Sequence, residues 1–220
     1  EGVTSIGKNT IVACSELKTV TIPSTVTSLS YDCISNCDKL ETINYNAKNA
    51  SGHIYGVIVG CDSNFSVHFG DGVTSIPEGF INRSGIVKID LSSLITKINR
   101  NAFVGCKSLS AITIKNPKCT IINNSNTICS NTVIYGYYNS TAQAYAQKYN
   151  RSFCVIGCNE EDLTNHLGGT EIKGAVEATC SREGYTGDTY CKGCGEKLLS
   201  GETIPKKEHK YENPVFTWSK

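Results

Sequence analysis

The sequence predicts an α/β solenoid of stacked turns, each adding a short strand to a parallel sheet. A helical cap closes the stack and a small β-rich module follows it. Three observations predict this. Val3-Thr-Ser-Ile6 recurs as Val26-Thr-Ser-Leu29, Val73-Thr-Ser-Ile76 and Ile95-Thr-Lys-Ile98, starting 23, 47 and 22 residues apart. Cys14, Cys37, Cys61, Cys106 and Cys129 keep the same beat, with Ser84 at the one vacant position. Lastly, residues 159–220 hold 19 of the 41 charged residues in little more than a quarter of the chain, which marks a second domain. A fixed period of 22 to 24 residues means supersecondary units that cannot bury their own apolar edges and are stable only when stacked.

Each unit reads Cys-x-x-Leu-x-x-Ile-x-Ile: Cys14, Leu17, Val20, Ile22; Cys37, Leu40, Ile43, Tyr45; Cys106, Leu109, Ile112, Ile114. The closing alternation is the period of a strand with one face buried. Two turns depart from the pattern. The one at Ser84 has lost a residue (Ile86, Ile89, Leu91), and the one at Cys61 keeps Val67 and Phe69 but carries Asn64 at the leucine position. The remainder of each unit holds a second extended piece and a tight turn such as Asn101-Ala-Phe103-Val-Gly. About six turns result.

Ile98-Asn-Arg-Asn-Ala-Phe-Val-Gly-Cys106-Lys-Ser-Leu109-Ser-Ala-Ile112-Thr-Ile114 resembles the BspA-type leucine-rich repeat of bacterial and some protozoan surface proteins. Glu1-Gly-Val-Thr-Ser-Ile-Gly7 and Thr21-Ile-Pro-Ser-Thr-Val26 are similar to the same unit. The resemblance spans residues 1–157. It implies a right-handed leucine-rich-repeat solenoid displayed outside a bacterial cell as an adhesion or binding module.

An open solenoid end exposes apolar side chains and strand edges, so a cap is required. Ser140-Thr-Ala-Gln143 has capping-box spacing, and Ala142, Tyr145, Ala146 and Tyr149 line one helical face, predicting a helix over 140–150 and a closing strand over 152–156. Asn159-Glu-Glu-Asp-Leu-Thr-Asn165 reads as a polar linker, giving a solenoid over 1–157, a linker over 158–165 and a module over 166–220. The module resembles a short cysteine-containing repeat found beside such solenoids. His166-Leu and His209-Lys-Tyr mark the starts of two copies, the second truncated at Lys220. With Glu1 rather than methionine at its start, the chain reads as processed or cut from something longer.

The twelve cysteines then divide by position. Those on the beat stack on neighbouring turns at about 5 Å, so distance does not forbid pairing. The break at Ser84 and the packing of small thiols at a tight corner favour reduced, structural roles. Cys33, Cys119, Cys154 and Cys158 are off that beat, and Cys154 with Cys158 is the better disulfide candidate. In the module, Cys191-Lys-Gly-Cys194 has knuckle spacing. Cys180 and His209 (or His166) would complete a structural Cys3His zinc site with no open coordination position. One disulfide plus a free thiol, or three unpaired thiols, is the alternative.

A net charge of +1 with no basic cluster argues against nucleic acid, and no stretch approaches 18 apolar residues. Catalysis has little to stand on. His53 and Cys61 lack an activating motif, Glu160 and Glu161 lie in the linker, and Gly70-Asp-Gly72 and Gly168-Gly169 are turn signals. The expected binding surface is the exposed sheet face: Thr21, Asn44, His68, Asp90 and Thr113, flanked by Lys18, Glu41, Lys88 and Ser110. The expected partner is a protein or glycan on a host or neighbouring cell, met by a monomer. A structural spacer presenting another domain is the alternative.

Overall fold

The structure, a computed structural model, describes residues 2–157, 169–193 and 195–208. The chain divides into two compact units, 1–156 and 157–220. The turns of the first unit add their strands to three parallel ladders. The long ladder runs Thr19–Ile22, Thr42–Tyr45, Ser66–Phe69, Lys88–Leu91, Ala111–Ile114, Val133–Gly136 and Phe153–Val155. The second ladder is Ile11–Val12, Ile34–Ser35, Ile58–Val59 and Ile81–Asn82. The third pairs Ser5–Ile6 with Ser28–Leu29, then Ser75–Ile76, Lys97–Ile98 and Thr120–Ile121. The closing strand makes a seventh tier beyond the six that the period counts. Helix is confined in this unit to α1, Thr141–Lys148.

The consensus acquires a physical meaning at each corner. In Cys-x-x-Leu the leucine N–H donates to the cysteine carbonyl, at 3.1 Å for Leu17, Leu40 and Leu109, closing a β-turn into the long ladder. The side chain at the cysteine position donates back to the carbonyl two residues earlier: Cys14 to Val12 at 3.6 Å, Cys37 to Ser35 at 3.4 Å and Cys106 to Val104 at 3.9 Å. Ser84 makes the same bond to Asn82 at 3.2 Å, so a hydroxyl fills the vacant beat chemically as well as sterically. Cys33 and Cys119 are not stray. Cys119 N–H closes a turn on Asn116 as Val26 does on Pro23 and Ile95 on Ser92, and both thiols are fully buried as small apolar groups.

Both ends of the second ladder require left-handed backbone. Asn9, Asp32, Gly56, Gly79 and Asn101 form one column of positive φ before it, and Ala13, Asn36, Gly60, Arg83 and Gly105 a second after it. Glycine and asparagine adopt φ > 0 at low cost; Ala13 and Arg83 do so under strain. At Gly79 (φ 57°) an added Cβ would also lie 2.1 Å from the His53 carbonyl oxygen.

The alternation Val20/Ile22, Ile43/Tyr45, Ile89/Leu91 and Ile112/Ile114 points inward, with Phe80, Phe103, Ile58 and Ile81 arriving from the second ladder's side. Tyr45, Phe69 and Phe80 pack at centroid separations of 4.9–6.0 Å. The Tyr45 hydroxyl is buried with no hydrogen-bond partner among the described residues.

The irregular turns leave a visible scar. The third turn carries one extra residue, taken up between Ser51 and Ile58: Ser28 bridges Ser51 at a spacing of 23, whereas Ile34 pairs Ile58 at 24. The fourth turn then lacks one, and the long ladder parts between Ser66–Phe69 and Lys88–Leu91. Asn64 does not act as a leucine there. It is exposed, its Oδ1 accepts from Val87 N at 3.3 Å across the gap, and the neighbouring Phe65 is buried instead.

The cap forms as the sequence predicts. Ser140 Oγ accepts from Gln143 N at 3.2 Å, while Gln143 Oε1 accepts from Asn139 N at 2.7 Å, one residue before the expected partner. Ala142, Tyr145 and Ala146 are buried against the last turns. In the second unit Thr170–Lys173, Asp188–Cys191 and Lys197–Leu199 form an antiparallel sheet, and Gly184–Tyr185 pairs Thr203–Ile204. Within it, the Tyr185 hydroxyl donates to Asp188, whose carboxylate also accepts from Gly201 N. The linker 158–165 and the repeat starts at His166 and His209 lie outside the described residues.

Candidate binding surfaces

The predicted row lies on one face because the long ladder holds it in register. Thr21 pairs with Asn44 and Asn44 with His68 in the first segment, and Lys88 with Ala111 and Asp90 with Thr113 in the second. The ladder's parting divides the row between His68 and Lys88. Register also brings complementary groups together. Lys18 Nζ lies 2.8 Å from Glu41 and Asn44 donates to Thr21 at 3.3 Å across turns, while within a single strand Lys88 Nζ lies 3.3 Å from Asp90. Ser110 Oγ donates to the Val87 carbonyl at 3.2 Å. Burial pushes the Asp90 carboxyl up, but the Thr113 hydrogen bond and Lys88 outweigh it and hold it below the usual carboxylate range. His68 is exposed and makes no hydrogen bond or ion pair among the described residues.

The second ladder's outer side is different. Its outward residues Val59 and Asn82, with Val104 of the next turn, floor a cleft of about 570 Å³, walled by Asp32, Ile54, Tyr55, Arg83, Asn101 and Gly105. The glycine-bracketed turn that absorbs the extra residue raises Ile54 and Tyr55 to 48% and 67% exposure, against half-buried His53. Asn82 Nδ2 donates to the Tyr55 carbonyl at 3.2 Å and ties this turn to the ladder. Tyr31, His53 and Tyr55 make a ring cluster with centroids 5.1–6.3 Å apart, and Lys8 Nζ sits 4.4 Å from the Tyr31 centroid. Sequence reasoning weighed His53 only as a partner for Cys61 and missed the others. The available signal was the 24-residue spacing of this turn together with Gly52-His53-Ile54-Tyr55-Gly56.

His53 and Cys61 do not form a nucleophile pair. His53 Nδ1 accepts from Tyr55 N at 3.4 Å, whereas the Cys61 thiol donates to the Val59 carbonyl and is pushed up to about 11 by burial. Burial pushes Cys33, Cys106 and Cys119 up to about 12, away from the thiolate a nucleophile needs. Of the expected zinc ligands, Cys180 is exposed and Cys191 is buried with its Sγ accepting from Gly193 N at 3.4 Å, as the first cysteine of a knuckle does. Cys194 and His209 lie outside the described residues, as do Cys158, Glu160 and Glu161. Among the described residues no His/Cys/Asp/Glu group is placed to hold a metal, and no helix is long and apolar enough to cross a membrane.

Three parallel ladders wound on an apolar interior, with a Cys-x-x-Leu corner closing the turn into the long ladder at Cys14, Cys37 and Cys106, define a leucine-rich-repeat solenoid. The chain belongs to the BspA type leucine rich repeat family, whose repeat region matches in six copies over residues 1–55 and 57–147. It is similar in structure to a leucine rich cell surface protein from Faecalibacterium prausnitzii A2-165, at 24% identity and a TM-score of 0.47. That match covers 61% of this chain and 35% of the other. No curated protein matches.

Proposed function

We propose that the chain is a non-enzymatic binding module, displayed on or secreted to the outside of a bacterial cell. Its long-ladder face recognises a protein or glycan on a host or neighbouring cell. One observation carries the reading: the outer side of the long ladder presents a polar row on five tiers, with Thr21, Asn44 and His68 in one segment and Asp90 and Thr113 in the next directed to solvent or half-buried. Repeat solenoids bind through such extended surfaces, where many weak contacts replace one deep pocket. A second reading, a spacer or display stalk of a larger surface protein or enzyme, is favoured by the pairing of Lys18 with Glu41 and Lys88 with Asp90, since a surface that satisfies itself has less to offer a partner.

Substituting Lys18, Glu41, His68 and Lys88 together by alanine and measuring adherence to immobilised host proteins and glycans separates the two. Weakened adherence supports the face; adherence unchanged from the parent chain supports the spacer. For the second unit we propose structural zinc held by Cys180, Cys191, Cys194 and His209. Elemental analysis of protein purified without added metal checks it, and zinc well below one equivalent would sink it.

A further inference from the structure

We propose that the cleft over the second ladder is a saccharide site, selective for sugars that carry a carboxylate. The inference rests on the reading of the solenoid as a binding module, but on a different face from the long-ladder row. Its volume, about 570 Å³, falls in the range of small-ligand sites. A second cleft of about 700 Å³, lined by Asp62, Ser84, Lys107 and Ser108, adjoins it through the shared Arg83 and Gly105 and lengthens the groove for further sugar units.

The chemistry of the walls selects the ligand class. A pyranose ring presents an apolar C–H face and a rim of hydroxyls, each able to donate and accept. It therefore needs an exposed aromatic face beside polar groups whose bonding capacity is not already engaged. Tyr55 supplies the ring, 67% exposed and propped by His53 and Tyr31. The side chains of Asp32, Asn101 and Arg83 make no hydrogen bond or ion pair among the described residues, in contrast to the charges of the long-ladder row. The Arg83 guanidinium is the fixed cation of the first cleft and has a fork that matches a carboxylate. A peptide strand is disfavoured because the second ladder's main chain is already engaged between turns: Val57 N–H donates to Gly79 at 2.8 Å and Ile58 N–H to Phe80 at 3.0 Å.

The test uses the full chain with three probes: α2,3-sialyllactose, trigalacturonic acid, and lactose as the uncharged control. Saturation-transfer NMR reads the contact and calorimetry the affinity. At least one acidic probe should bind, with transfer concentrated on ring protons. Tyr55→Ala and Arg83→Gln should each weaken it tenfold or more at an unchanged melting temperature, and Tyr55→Trp should retain it. No binding of either acidic probe, equal binding of lactose, or full binding by Tyr55→Ala overturns the proposal. The four-residue long-ladder variant should bind the acidic probe as the parent does, which keeps the two proposals separable. Loss of adherence in that variant with no sugar binding anywhere sinks only the saccharide site. Sugar binding that persists while adherence never changes sinks only the long-ladder face.

Discussion

The two outer surfaces of the solenoid are built from the same repeat and come out chemically opposite. On the long ladder, unit turns bring like positions side by side, so Lys18 meets Glu41 and Thr21 meets Asn44. The second ladder pairs without interruption through the irregular turns, and the extra residue of the third turn is instead thrown outward in the turn over residues 52–56 beside it. Asp32, Arg83 and Asn101 are left with no side-chain partner among the described residues, beside a raised tyrosine. Complementary neighbours in register neutralise a surface; an inserted turn beside a ladder leaves polar groups unengaged. The same lattice of inter-turn bonds holds both surfaces, so conditions that attack it should remove both together.

The strongest such condition is alkaline pH. Cys33, Cys106 and Cys119 are raised to about 12 and Cys61 to about 11, all by burial. A folded-state pKa above the unfolded value of about 8.5 to 9 means that stability is complete below that value and drains away as pH rises toward 11–12. Each thiol then costs about 1.4 kcal/mol per pH unit, so four together remove roughly 6 kcal/mol by pH 10. Denaturant midpoints at pH 7.5, 9 and 10 should fall steeply. A Cys61→Ala/Cys106→Ala variant, weaker at pH 7.5, should fall at half the slope. A midpoint flat to pH 10 would show that these thiols are not buried in the protonated form. Adherence and sugar binding should disappear over the same interval.

The parting of the ladder can be attacked locally. Gly85 lies where the shortened turn passes its neighbour, and a Cβ there would be 2.0 Å from the Asp62 carbonyl oxygen. Gly85→Ala should cost about 1–3 kcal/mol as overpacking against backbone. Because Asp62 lines the cleft that meets the saccharide site at Arg83, the variant should disturb sugar binding more than long-ladder adherence. Equal losses on both surfaces would mean that the break is not mechanically separate from the regular turns. Nearby, Tyr45 carries the opposite defect, a buried hydroxyl with no partner among the described residues. Tyr45→Phe keeps the ring packing with Phe69 and Phe80 and removes a group that costs about 1 kcal/mol or more to bury unpaired. It should raise the melting temperature and leave both surfaces intact; a lower melting temperature would reveal a hidden partner for that oxygen.

What could be read from the sequence was whatever repeats. The beat of Cys14, Cys37, Cys61, Cys106 and Cys129, the inward alternation and the cap at Ser140 follow from period and local chemistry, which neighbouring turns reinforce. Cys33 and Cys119 were invisible as members of apolar rows because a thiol in an isoleucine or valine row breaks the letter pattern while preserving the packing. The cleft was invisible for a deeper reason. Tyr31, Tyr55, Arg83 and Asn101 are far apart in sequence, and an unpaired side chain is a property of what fails to face it. Asn64 shows the limit most sharply, since its letter sits at the leucine position while its side chain bridges the gap to Val87. The α/β label likewise overstated helix, which in the solenoid amounts to the eight residues of α1.

The smallest effect separates strain from structure. Ala13 and Arg83 stand in the same column of left-handed residues, at φ 52° and 50°, where Gly60 and Gly105 stand in other turns. Left-handed backbone costs an L-residue about 1–2 kcal/mol, part of which glycine forfeits through its freer unfolded chain. Ala13→Gly and Arg83→Gly should therefore each stabilise by up to about 1 kcal/mol. The first removes no group that the sugar site uses, so binding should be unchanged. The second removes the cation, so stability should rise while affinity for the acidic probe falls. Strain retained at a site that function needs is the expected signature of such a trade. If Arg83→Gly were instead less stable than the parent, the guanidinium would be holding the corner together, and the contrast between a self-satisfied face and a poised one would lose its sharpest residue.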